Sequence, residues 1–192
     1  LQEVDVHAGH DAHHEHHHHE TFISKYVFSQ DHKMIAKQFL ITGMIWAIIG
    51  GLFSVIFRLQ LGYPEQSFPF LEDFLGHWAK GGKLQPEFYY ALVTMHGTIL
   101  VFFVLTAGLS GTFANFLIPL QIGARDMASP LLNMLSYWFF FLASVIMFSS
   151  LFVQTGPASG GWTIYPPLSA LGDASSGSKI GMDLWLVSMA MF

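Results

Sequence analysis

Polar side chains all but vanish from the chain in four intervals. Met34 to Phe57 is apolar save for Lys37 and Gln38 near one end; Tyr89 to Ile122 and Leu131 to Val153 follow, and a fourth run goes from Ile180 to Phe192. A hydrocarbon core about 30 Å thick takes roughly 20 residues of helix to cross. The first three runs are therefore predicted transmembrane helices and the fourth the start of another, with spans expected at 34–57, 89–122, 131–153 and from 180 on. Between them, 58–88 and 154–179 are polar and rich in Gly and Pro, and read as extramembrane loops on one side; "LQIGARDMASP" is a short connection on the other. The fold class expected is all-α, a polytopic transmembrane helix bundle. The short fourth run and the opening Leu1 lead us to expect the front part of a longer protein.

Composition agrees with that pattern. Only 11% of the residues are charged and 52% are hydrophobic, against about 25% charged in soluble domains. With no cysteine, neither a disulfide framework nor a thiolate cluster is possible, and any metal is left to His, Met or carboxylate. The net charge of −5 comes largely from the tail and loops, with no basic stripe, which excludes nucleic acid. Leu1 to Glu20 carries eight of the eleven histidines without apolar periodicity. Residues 1–30 are accordingly expected to be a disordered tail and pre-helix segment, ahead of a membrane domain over 31–192. Preceding any apolar segment, the tail is not a signal peptide. "HHEHHHH" could hold Zn²⁺ or Cu²⁺ loosely, but a tract without fixed geometry is read as solvated. Lys25, Lys33, Lys37 and Arg125 on the tail side balance Arg58, Lys80, Lys83 and Lys179 on the other, so the positive-inside rule gives no orientation.

His96 stands inside the second span, eight residues past Phe88, or about 12 Å deep at the α-helical rise. An ionisable group at that depth needs a partner and points to function. A neutral imidazole can give one lone pair to a metal while its other nitrogen donates a hydrogen bond that fixes the ring. Haem iron suits a single inward histidine, because the porphyrin supplies four ligands and the protein adds only axial ones. Tyr89, His96 and Phe103 are spaced by seven and share a helix face, a stripe that suits a flat cofactor. The competing reading is an interhelical hydrogen bond, worth about 0.6 kcal/mol on average in membranes. Arg58 ends the first span on the side where the helix of His96 begins. Its planar fork can pair with a carbonyl or propionate on a haem edge, or the side chain can simply snorkel to the interface.

The other end of the second span is polar in a different way. Asn115 follows His96 by 19 residues, about 28 Å of α-helix. Asp126 sits in the short loop, and Asn133 and Ser136 open the third span. A carboxylate at the mouth of a file of water ordered by amides collects protons. Turn capping by Asp126 ahead of Pro130 is the alternative.

Five ordered segments, "DHKMIAKQFL", "VIFRLQLGYP", "MHGTILVFF", "FANFLIPLQIGARDMASPLLNMLSYW" and "GWTIYPPL", resemble subunit I of the haem–copper oxidases, in the bacterial, haem-a, cytochrome c oxidase branch. The resemblance runs from about Tyr26 to Phe192. It implies the first four of about twelve helices of a terminal oxidase that reduces O₂ to water and couples this to proton translocation. By that resemblance His96 is an axial ligand of the low-spin haem iron, Arg58 faces the formyl group of haem a, and Tyr89 lies near its propionates. Trp162 matches a donor to a propionate of the high-spin haem. Asp126 matches the carboxylate at the mouth of the D proton pathway, with Asn115 and Asn133 as its asparagines and Ser136 beside them. Ligands of the high-spin haem and of copper are expected beyond Phe192. The resemblance also implies subunits II and III as partners, cytochrome c as electron donor, a bacterial inner-membrane location among lipid, and a cytoplasmic N-terminus.

The sequence departs from the family pattern at several positions. Gln60 stands where many members carry a glutamate that helps bind Ca²⁺ or Na⁺, Phe39 where a tyrosine is common, and Ala114 where a glycine is. Quinol oxidases of the family use Arg, Asp, His and Gln for the quinone headgroup; Ile49, Phe53, Phe88 and Ala91 occupy those places here and cannot hydrogen-bond a quinone through their side chains. A quinol oxidase binding its substrate elsewhere, and a haem-free proton-coupled transporter or scaffold in which His96 and Asp126 form a relay, are the alternatives.

Overall fold

The structure is a computed structural model and describes residues 22–171 and 179–192. The expected tail over Leu1–Glu20 lies outside the described residues. Every regular element among those described is a helix. A short α1, Phe22–Tyr26, precedes the 31-residue α2, His32–Gly62. Gln38 ties the two together, its Nε2 donating to the carbonyls of Tyr26 at 2.8 Å and Val27 at 2.9 Å. Helix α2 overruns the expected end at Phe57 through Arg58 and Gln60. Hydropathy marks where the membrane ends, whereas the helix stops only before Pro64, which disfavours α geometry in the residue it follows.

The first loop is folded rather than loose. It forms α3, Pro69–Leu75, and a stretch of 3₁₀ turns over Gly76–Gly82 that is kinked at Ala79, Lys80 and Gly81. The Phe68 N–H donates to the Gly82 carbonyl at 2.8 Å and the Gln85 N–H to that of Trp78 at 2.9 Å. Leu71, Ala79 and Leu84 thereby bury against Phe57, Phe88 and Leu92, roofing one end of the bundle.

The second span is continuous from Pro86 to Ile122, 37 residues, but it is not one α-helix. Helix α4, Pro86–Thr98, passes into a π-helical segment, Ile99–Leu109, and then into α5, Ser110–Ile122. The side-chain hydroxyls report the change of pitch: Thr94 and Thr98 donate to carbonyls four residues back, whereas Thr106 donates to Val101 at 2.8 Å and Ser110 to Leu105 at 3.3 Å, both five back. Buried positions step accordingly, from Ile99 to Phe103 to Gly108 to Thr112. The step of five between Phe103 and Gly108 keeps both on the face packed against α2, where a 3.6-residue repeat would have rotated one of them off it. Gly108 meets Gly43 there backbone to backbone; a Cβ on either would lie 2.9 Å from the other's Cα.

After a left-handed Gly123 and a short loop, α6, Pro130–Ser149, returns through the bundle and ends in a 3₁₀ turn, Ser150–Phe152. Helix α7, Lys179–Met191, comes last. Among the described residues three helices, His32–Gly62, Pro86–Ile122 and Pro130–Phe152, are long and apolar enough to cross a membrane, and a shorter apolar one runs over Ile180–Met191. The core between them is largely aromatic, with Phe39, Trp46, Phe103, Phe140 and Trp185 buried together. The outer face of α2 leaves Ile41, Met44, Ile45, Ile48, Leu52 and Val55 exposed, as befits helices whose surroundings are as apolar as their interior. The expected membrane helix bundle is the fold observed.

Candidate functional site

His96 lies in the last turn of α4, half-buried. Its Nδ1 is 2.8 Å from the Gly50 carbonyl oxygen on α2. A carbonyl only accepts, so Nδ1 carries the proton and Nε2 is left with its lone pair free. The contact needs Gly50: a Cβ there would come within 2.9 Å of Leu100 Cδ2 and 3.1 Å of Ile99 Cγ2, so the missing side chain lets α2 approach closely enough for its carbonyl to orient the ring. The hydrogen bond weighed against ligation and a ligating nitrogen therefore coexist on one imidazole. This is the donor chemistry of an axial haem ligand, with one nitrogen fixed by a backbone acceptor and the other open. Among the described residues no group of three or more His, Asp or Glu could hold an ion by itself.

The aromatic surroundings differ in part from the stripe read off the sequence. Phe57 of α2 sits edge-on to His96 at 5.4 Å and to Tyr89 at 6.0 Å, joining the two. Phe103 does not belong to this group; its ring packs on Trp46, Phe140 and Phe192, because the π-helical segment begins three residues after His96 and breaks the heptad spacing. Arg58 is exposed. With Gly50 marking the level of His96 on α2, Arg58 is eight residues further along, about 12 Å or two turns of helix toward the first loop. Trp162 is half exposed, with its ring edge on Phe102 at 5.7 Å. Gln60 uses its Oε1 to accept the Leu84 N–H at 3.0 Å, a bond that ties the loop to α2.

At the other end of the bundle, Asn115 is buried and Asn133 partly so. The Asn115 Nδ2 donates to the Gly111 carbonyl at 2.8 Å, and its Oδ1 is buried without a partner; the Nδ2 of Asn133 is likewise buried and unpartnered. An orphaned acceptor and an orphaned donor are what an ordered water satisfies. Asp126 is partly exposed, and its Oδ1 accepts the Met127 N–H at 2.7 Å, a bond that uses one of its two oxygens within the loop turn and does not reach the first turn of α6, whose cap residue is Ser129. Ser136 is exposed and returns its hydroxyl to the Asn133 carbonyl at 2.7 Å; it does not join the buried amides. Sequence reasoning missed His32. It is 2% exposed at the start of α2, and its Nδ1 donates to the Asn115 carbonyl at 2.8 Å. The signal was available, since His32 opens an apolar span, but its neighbours Asp31 and Lys33 made it look like part of a solvated flank.

Fold and geometry together define a helical protein built for a membrane, with one oriented imidazole near one end of its second span and, at the other end, a loop carboxylate and two asparagines with buried amide atoms. The family model described as "Cytochrome C and Quinol oxidase polypeptide I" matches residues 34–192, and the chain belongs to that family of haem–copper oxidase subunits. It is 41% identical over 169 residues to the "Alternative cytochrome c oxidase subunit 1" of Bradyrhizobium diazoefficiens, covering 88% of this chain and 26% of that protein. It is 38% identical over 167 residues to the "Cytochrome c oxidase subunit 1" of a Synechocystis species, covering 86% of the chain and 26% of that protein. A "Heme-copper oxidase subunit I+III" from Aeropyrum pernix is 33% identical over 171 residues, covering 89% of the chain and 19% of the relative. The chain thus spans about a quarter or less of the length of these relatives.

Proposed function

We propose that the chain is part of the catalytic subunit of a respiratory terminal oxidase, with His96 as an axial ligand of a low-spin haem a and Asp126 as the mouth of a proton path. The observation that carries the reading is the His96–Gly50 bond, which leaves Nε2 free inside a membrane span. Haem would supply the equatorial ligands and the reversible one-electron change. This chain's own residues would orient the ligand through Gly50, wall the haem with Phe57 and Tyr89, and meet its periphery with Arg58. Trp162 would meet a propionate of the high-spin haem; that haem and copper would take their ligands from outside this segment. Asp126 would collect protons and pass them to water ordered by Asn115 and Asn133, with His32 against the Asn115 backbone and Ser136 on the outer rim. Such a path faces the cytoplasm of a bacterium if the protein sits in the inner membrane with its N-terminus inside, and the whole enzyme then pumps protons with subunits II and III as partners.

Cytochrome c is favoured as donor. Phe53 and Phe88 help line a cavity of about 310 Å³ walled mostly by apolar side chains, and neither of these two side chains can hydrogen-bond a quinone headgroup. The reading is tested by His96→Ala in the full-length assembled enzyme: the six-coordinate low-spin haem signal is expected to disappear, and its persistence unaltered would refute the assignment. Offering the unaltered preparation reduced cytochrome c and a quinol in parallel decides the donor, and an optical spectrum without haem bands would favour the transporter reading instead.

A further inference from the structure

On the helix face opposite His96 a chain of buried hydroxyls binds two other parts of the fold. Thr94 and Thr98 lie two residues to either side of the ligand and one turn apart, so they share a face from which His96 points away. Each donates to the carbonyl four residues back, Thr94 Oγ1 to Tyr90 at 2.9 Å and Thr98 Oγ1 to Thr94 at 2.8 Å. A hydroxyl that has given its proton still has lone pairs to accept with, and both do so from distant segments. The Gly161 N–H donates to Thr94 Oγ1 at 3.1 Å, and the Trp185 indole N–H to Thr98 Oγ1 at 3.0 Å. Thr98 is fully buried, and Thr94 and Trp185 nearly so.

Gly161 precedes Trp162, and Trp185 belongs to α7, which is held to α6 by Ser188 Oγ donating to the Ala143 carbonyl at 2.6 Å. We propose that Thr94 and Thr98 are positioning residues of the haem region, their hydroxyls clamping the Trp162 loop and α7 to the back of the helix whose front carries His96. The proposal rests on His96 being a haem ligand. Valine fills nearly the same volume as threonine but removes the acceptor from each distant donor, and at the fully buried Thr98 it leaves the Trp185 indole N–H unpaired. Sequence carried no hint of the clamp: two threonines and a tryptophan in apolar helices read as packing.

The test uses the full-length assembled complex. Thr94→Val should release the Gly161 amide, with hydrogen exchange about tenfold faster, the order expected for one net hydrogen bond. Thr98→Val and Trp185→Phe should move the absorption band and midpoint potential of the low-spin haem in the same direction, and the double variant no further than the larger single one, since both remove the same bond. Unchanged Gly161 exchange, or a band and potential that stay in place in both Thr98→Val and Trp185→Phe, overturns the proposal. Should Thr98→Val fail to assemble, Thr98→Ser, which keeps the hydroxyl, is expected to assemble with the unaltered spectrum; its failure too would mean that the methyl group matters and the clamp does not. A missing low-spin haem signal in the unaltered complex is the failure of the His96 reading, and the Gly161 exchange measurement, which needs no haem, still decides the clamp.

Discussion

The orientation of His96 is set by an absent side chain. Its hydrogen bond goes to a main-chain carbonyl, so no substitution on α2 can delete the acceptor, yet the distance between the two helices depends on Gly50 having no Cβ. For Gly50→Ala the new methyl would meet the ends of Leu100 and Ile99 at 2.9 and 3.1 Å. Side-chain ends yield more readily than backbone, so the expected cost is at the low end of overpacking, about 1 kcal/mol, accompanied by a lengthened His96 contact. The signature is a shifted low-spin haem band with the haem still bound and a slightly lowered Tm. A band identical to that of the unaltered enzyme would show that the carbonyl does not hold the ring.

Between the two functional ends lies the π-helical segment, whose packing against α2 has a harsher constraint. The Gly43–Gly108 contact is backbone on backbone, leaving nothing that can rotate aside, and a methyl on Gly108 would also lie 2.9 Å from the Phe103 carbonyl oxygen. Gly108→Ala is therefore expected to destabilise by about 3 kcal/mol, the upper part of the overpacking range, whereas Gly62→Ala, with nothing within 4 Å of its Cβ position, should be close to neutral. Equal melting behaviour of the two variants in the purified enzyme would refute the close approach. The π segment was not legible in the sequence for a physical reason: Ile99 to Leu109 is apolar apart from Thr106, so a stripe stepping by five cannot be told from one stepping by four. The spans themselves were legible because length and apolarity suffice to mark them. His96 was too, since a lone imidazole in such a run stands out, whereas Gly50, Thr94 and Thr98 act through carbonyls and small side chains that carry no pattern.

Across the whole molecule the proposed haem ligand and the proposed proton mouth lie at opposite ends of one continuous span, His96 on α4 and Asn115 on α5, with Asp126 just past its end. In the proposed oxidase that separation would let electron and proton arrive from different sides, and it would make Asp126 the place where proton supply can be cut without touching the haem. Asp126→Asn is a clean cut because the amide retains an Oδ1 that can accept the Met127 N–H, so the turn survives while the exchangeable proton is lost. Steady-state turnover should fall on the order of a hundredfold, the lower end of what a positioned proton donor contributes, with both haem signals intact and proton pumping weakened. Reconstituted vesicles report the two effects separately, through oxygen consumption and external acidification. If proton uptake in them matched the unaltered enzyme, Asp126 would be left with its turn alone, and the orphaned amides of Asn115 and Asn133 would need another source of protons.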